Sequence, residues 1–338
     1  MDPLLTALDR EAGRTGFSGV VRVDRPGNAP LVAAYGMADR AHGVAMTPEH
    51  QLGTASLTKG LTALTVVSLM ADGLLELTTT ARSVLGTDLP LIRDDVTVEH
   101  LLSHRSGIGD YLDEELLEGP DDYVMPVPVH RLASSDDYLA ILDGHPTVTA
   151  PGTEFVYNNG AFVVLAVIAE RVTGVPFHEL VVARVCDPAE MQRTRFLRSD
   201  ELPGTAATGY LHPDGLRTNV LHLPVLGSGD GGVYTTVGDL RALWTALFDG
   251  ALLPERWVDE MRRPRREPTA DRLGYGLGLW LWPTGVVELH GYDAGVSCRT
   301  MHDLATASTW TVIANTSSGC APMADVIETD LPAISYDG

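Results

Sequence analysis

One stretch limits what this chain can fold into more than any other: Leu61 to Gly73, L-T-A-L-T-V-V-S-L-M-A-D-G, is apolar on nearly every side. A helix of that composition has no face to give to water, so other elements of a sizeable domain must cover it all round. Gly73 supplies the left-handed stop at its end. The run is entered through A-S-L-T-K-G, Ala55 to Gly60, and Lys59 is the one lysine among 24 lysine and arginine residues. An unpaired ammonium beside a buried helix costs several kcal/mol, so its presence needs a chemical reason.

Arginine stays protonated in proteins, whereas a lysine amine, ordinarily near pKa ~10.4, is lowered by desolvation or by a neighbouring positive charge. Lys59 lies three residues after Ser56, and positions three apart share a helical face. The amine could therefore take the hydroxyl proton as the oxygen attacks a carbonyl, a nucleophile with its base. The S-x-x-K spacing also arises by chance, with Ser56 a helix cap and Lys59 a surface charge. The lysine's uniqueness and the burial of its helix favour the catalytic pair.

The 338 residues suit one large domain or two subdomains sharing a cleft, and 44% hydrophobic content can fill a sizeable core. A formal charge of −21 excludes nucleic acid and anionic membrane as natural partners. A small-molecule substrate is the partner expected; oligomeric state is not readable. The N-terminus M-D-P-L-L-T-A-L-D-R-E-A-G has neither a basic segment nor an unbroken apolar one. No stretch approaches ~18 apolar residues without charge, and the final Y-D-G carries no anchor signal. Together these give the expectation of a cytoplasmic protein. Cys186, Cys298 and Cys320 have no metal-binding spacing and leave one over, which suits a reducing compartment and small core residues.

After a first short helix, Gly19 to Arg25 and Leu31 to Gly36 are β-rich runs separated by P-G-N-A-P, a hairpin pattern. A hairpin cannot stand alone. Its partners are expected at the far end of the chain: Tyr275 to Trp282, Gly285 to Gly291, Gly295 to Met301 and Thr309 to Thr316, followed by a helix near Ala321 to Leu331. Between them the chain is helical and turn-rich. Thr97 to His104 opens on a threonine cap with glutamate in its first turn. Ala161 to Gly174 is a second buried helix. Thr236 to Phe248 opens with Thr236 and Asp239 at capping-box spacing. The expected fold is α+β: an antiparallel sheet with covering helices from residues 1–75 and 227–338, a mostly helical subdomain from 76–226, and Ser56 at their junction.

Several stretches, in order, resemble the serine β-lactamase and penicillin-binding-protein superfamily, nearest its class C β-lactamase, D-aminopeptidase and family VIII esterase branch. Ser56-Leu57-Thr58-Lys59 is similar to that family's first motif. Tyr157-Asn158-Asn159, within P-G-T-E-F-V-Y-N-N-G, resembles its Y-x-N motif. His100 to Ile108 and Gly229 to Leu240 look like its framework stretches. The resemblance implies a β-lactamase/transpeptidase-like fold, with Tyr157 and Lys59 sharing proton transfer, since a phenol becomes a usable base beside a cation. Asn159 would hold the lysine and a substrate amide; by itself Y-N-N also reads as a packed aromatic and a helix cap.

The third motif departs from the family's K-T-G or H-T-G. Gly291 and Gly295 keep the family's spacing, so the triplet reads Leu289-His290-Gly291, with leucine where a cation is usual; the other register, with His290 in the first position, would put Tyr292 where glycine is expected. His290 is expected at the cleft, with a part in binding or proton handling, against the alternative of a strand histidine facing solvent. The resemblance implies an oxyanion hole from the backbone N–H groups of Ser56 and Tyr292. The absent cation normally recognises a substrate carboxylate, so β-lactams and cell-wall peptides are less favoured.

The activity expected is a metal-free, cofactor-free serine hydrolase acting on an ester or amide through an acyl-enzyme. Two alternatives stay open: an acyltransferase or peptide cyclase in which an amine or alcohol replaces water, and a β-lactam sensor that acylates once. His100 and His104 share a helical face at metal-binding spacing, but no carboxylate or cysteine completes a set. Arg262 to Arg266, R-R-P-R-R, reads as a solvated loop that could attract an anion at the rim. Trp280 and Trp282 read as sheet packing.

Overall fold

The structure, a computed structural model, describes residues 2–112, 118–119, 122–269 and 272–331. Both ends of the chain build one sheet. Among the described residues it has seven strands, numbered along the chain β1 (Gly19–Asp24), β2 (Leu31–Tyr35), β3 (Gly274–Tyr275), β4 (Trp280–Leu281), β5 (Val287–Asp293), β6 (Val296–Asp303) and β7 (Ser308–Ala314). They lie in the order β2-β1-β7-β6-β5-β4-β3, every neighbour antiparallel. The expected run Tyr275 to Trp282 is two strands, because it turns back at Gly278. That residue has φ 74°, and a Cβ there would meet the Ala63 Cβ at 2.2 Å, so only glycine fits.

Strand alternation sends successive side chains to opposite faces. Val21 and Val23 of β1 join Trp310 and Val312 of β7 in a core covered by α1 (Pro3–Thr15). Val20, Leu289 and Ile313 face the other way, into a larger core shared with α2 (Thr58–Ala71), α3 (Asn159–Thr173) and α4 (Val237–Phe248). α5 (Cys320–Asp330) completes the first layer through Met323 and Ile327. α2 is buried from Thr58 to Met70 and α3 from Asn159 to Ala169, as their all-round apolar sequences require. The larger core is continuous between the sheet and the central helices.

The segment before residue 227 is tied to the sheet side at several places. Arg195–Phe196 pairs with Val233–Thr235, which pairs in turn with Leu52–Gly53. The Tyr210 N–H donates to the Asn315 carbonyl at 2.9 Å. Two caps differ from expectation. Thr236 does accept the Asp239 N–H, but the Asp239 carboxylate turns to the Arg193 N–H at 2.9 Å and the Thr194 hydroxyl at 2.7 Å, so the box is not closed. At Val98–Leu102 the box is closed by His100, whose Nδ1 accepts the Thr97 N–H at 3.2 Å. Among the described residues no single helix is long and apolar enough to cross a membrane; one pair, Asn159–Thr173 with Phe177–Cys186, passes together but bends by 87°. The three cysteines are free and buried.

Candidate active site

The chain leaves Leu52–Gly53 and places Ala55 at φ 46°, a left-handed conformation uncommon outside glycine, just before Ser56 enters α2 through a single 3-10 turn. One turn on, Lys59 is 2% exposed. Its Nζ lies 2.9 Å from Ser56 Oγ, 2.7 Å from Asn159 Oδ1 and 2.8 Å from the Asp230 carbonyl. The amine therefore meets three oxygens, from three separate parts of the chain.

Each partner is fixed from behind. Asn158 caps α3 by accepting the Ala161 N–H at 2.6 Å, which leaves Asn159 in the first turn to face the lysine. The Asp110 carboxylate accepts the Asn159 and Gly160 N–H groups at 2.5 and 2.9 Å. Burial raises the Asp110 pKa to about 6 against the lowering effect of those bonds. The Asp230 loop is held by Thr62 of α2, whose hydroxyl donates to the Gly229 carbonyl at 2.6 Å. Tyr111 donates its hydroxyl to the Asp230 carboxylate.

Tyr157 packs against two rings, His104 at 4.4 Å between centroids and 32°, and Trp280 at 6.2 Å and 16°. The Tyr157 ring centroid is 5.0 Å from Lys59 Nζ. His104 accepts the Asn158 N–H at Nδ1, at 3.0 Å, so its other nitrogen carries the proton. Burial first, and Lys59 second, hold its pKa well below the usual histidine range. It is neutral packing under the Y-N-N loop, while His100 is a helix cap. Among the described residues no group of three or more histidine, cysteine, aspartate or glutamate side chains could hold a metal.

The β5 strand passes directly over the Ser56 turn. A Cβ at Gly291 would meet the Thr54 carbonyl oxygen at 2.3 Å and the Ser56 nitrogen at 2.6 Å, so this position has to be glycine. Leu289, on the same face, packs so tightly on Gly60 that a Cβ there would meet its Cδ2 at 2.5 Å. Leucine thus fills the place of the motif cation with apolar contact. The expectation that His290 lies at the cleft is corrected. Alternation turns it to the other face, where Nδ1 meets Glu288 Oε1 at 2.5 Å and the ring stacks on Trp280 at 5.1 Å and 16°. Trp280 separates it from Tyr157. Glu288 is 1% exposed. Burial alone would raise its pKa, but His290 and Arg299 outweigh that and hold it at about 2.

A cleft of about 290 Å³ opens beside Ser56 and Asn159, and its lining includes Tyr111, Tyr123, Tyr138, Tyr234 and Tyr292. Tyr292 is 42% exposed there. The arginine cluster is not a free rim patch. Arg265 is bound to Glu99 at 2.9 Å and to Glu260, and the Arg266 guanidinium lies 4.4 Å over the Phe155 ring. Sequence reasoning missed Asp110, Tyr111, Asp230 and the role of Trp280. Asp230 alone carried a signal, being set between Gly229 and Gly231 in a framework stretch. A Cβ at Gly229 would meet the Phe162 carbonyl oxygen at 2.0 Å.

The fold holds a serine and a buried lysine in contact at the head of its central helix, the arrangement of a serine acyl-enzyme site. Residues 5–330 match the Beta-lactamase family, and the chain belongs to it. It is 30% identical over 293 residues to esterase EstB of Burkholderia gladioli, covering 77% of this chain and 73% of that protein. It is 26% identical over 284 residues to the putative penicillin-binding protein PbpX of Bacillus subtilis, covering 83% of this chain and spanning 66% of that protein. A crystal structure of a penicillin-binding protein from Bacillus halodurans superposes with a TM-score of 0.89 at 32% identity, over 95% of this chain and 99% of that one.

Proposed function

We propose that the chain hydrolyses an ester or a small amide through an acyl-enzyme on Ser56. One observation carries this reading: Lys59 Nζ is 2.9 Å from Ser56 Oγ, with Asn159 Oδ1 at 2.7 Å and the Asp230 carbonyl at 2.8 Å. Those two oxygens can accept protons from the amine, and in its neutral form the amine takes the serine proton. Ser56 Oγ then bonds to the substrate carbonyl carbon as its proton passes to Nζ. The N–H groups of Ser56 and Tyr292 hold the oxyanion. The bond to the leaving group breaks as a proton returns to it by way of Tyr157, and water repeats the sequence to free the acid and the serine. The likeness to an esterase supports the ester substrate. Three free buried cysteines suit a reducing, cytoplasmic compartment.

The test is turnover of p-nitrophenyl butyrate and of a chromogenic cephalosporin, with and without an amine acceptor. Steady ester turnover independent of the amine is expected. Acceleration by the amine would mean acyl transfer, and a single stoichiometric burst a sensor. Lys59→Arg, which keeps the charge and removes the base, is expected to lose about 10³ in kcat. An active Lys59→Arg enzyme would overturn the mechanism.

A further inference from the structure

We infer that the cleft selects an apolar acyl donor that is uncharged or positively charged and turns away one bearing a carboxylate, with Asp293 setting the sign. The inference rests on the serine-hydrolase reading of this cleft.

Three observations converge. First, the wall is aromatic, through Tyr111, Tyr123, Tyr138 and Tyr292, and faces of this kind suit an apolar group or a cation. Second, the described residues that line the cleft include the carboxylates Asp230 and Asp293 and no lysine or arginine. Lys59 is enclosed among Ser56, Asn159 and Asp230. Leu289 packs on Gly60 and is not among the residues lining the cleft. Third, Asp293 ends β5 one residue after Tyr292, whose N–H faces the reacting carbonyl in the proposed mechanism. Its turn is fixed: the carboxylate accepts the Ala294 N–H at 2.8 Å, Asn219 donates to the Ala294 carbonyl at 2.9 Å, and the Gly295 N–H donates to Ser317 at 2.8 Å. The field of these carboxylates reaches across the space. Burial raises the pKa of the Tyr123 hydroxyl, and Asp110, Asp230 and Asp293 push it further the same way. An anionic substituent entering here meets the like charge of Asp230 and Asp293.

The experiment compares three p-nitrophenyl esters of similar length: butyrate, the monoester of glutaric acid, and 4-(trimethylammonio)butyrate. At low salt the anionic ester is expected to fall at least about 10-fold below the neutral one in kcat/KM, with the cationic ester equal to or above the neutral one. Salt at about 0.5 M should narrow the spread. Asp293→Asn should raise the anionic-to-neutral ratio of kcat/KM severalfold. The salt series uses the unaltered protein and tests the idea even where that variant misfolds. Equal rates for the three esters, or a preference for the anion, would overturn the inference and leave the hydrolase reading standing. Absence of turnover and of Ser56 acylation with all three would overturn both.

Discussion

Gly291 is the residue at which this site tolerates least. Its missing side chain is what lets β5 lie against the Ser56 turn, and a methyl group would press on Thr54 and Ser56 backbone atoms that have no room to retreat. Gly291→Ala is expected to cost about 1–3 kcal/mol in unfolding free energy, read by urea denaturation. Activity should fall about 10²-fold or more, because the strand carries the Tyr292 N–H and a displacement near 1 Å is enough to spoil it. A fully active Gly291→Ala would show that β5 takes no part. Ser56 and Lys59 were readable from residue type and short spacing, whereas Tyr157 and Asn159 were read only through the family resemblance of Y-N-N. His104 and Trp280 were not, since they reach Tyr157 from distant segments.

Among the elements, α3 matters to the site through its N-terminus. The Asp110 carboxylate meets the Asn159 and Gly160 N–H groups there, yet burial lifts its pKa from 3.8 to about 6. The folded state therefore holds the Asp110 proton more tightly than the unfolded one. That contribution to stability is complete below pH 3.8 and is lost as pH rises through about 6. Asp110→Asn does not titrate, so its stability relative to the parent should improve by roughly 2–3 kcal/mol between pH 4 and 7, measured by urea denaturation at both. A constant difference would mean that Asp110 ionises normally. The strands β5 and β6 and helix α5 share a second charged element: Glu288 binds Arg299 at 3.0 Å, and Arg299 binds Glu328 at 2.8 Å. Glu288→Gln should cost about 3 kcal/mol near pH 7 by leaving Arg299 short of a partner. The Glu288 pKa is lowered from 4.5 to about 2, so the parent's advantage is present above pH 4.5 and fades as pH falls toward 2. Neither element was legible. A buried carboxylate at a helix start and a buried ion pair look, in sequence, like any surface charge.

At the scale of the whole molecule, the sheet is closed by chain ends nearly three hundred residues apart, with Gly19 of β1 opposite Ala314 of β7. We take residues 76–226 as a helical part inserted into a sheet part, but the larger core runs unbroken between the central helices and the sheet. The two parts should therefore unfold together. Thermal transitions followed by tryptophan fluorescence and by loss of ester turnover are expected to coincide, with one calorimetric peak; two separated peaks would show independent parts. Local chemistry was fixed by sequence alone: one lysine three residues from a serine, an all-apolar helix behind it, and glycines where the chain must turn or pass close. Only the tertiary structure decided which face of β5 meets Ser56. Alternation makes both faces of a strand equivalent until a neighbouring layer packs on one of them. That choice put Gly291 and Leu289 against the catalytic helix and sent His290 to Glu288.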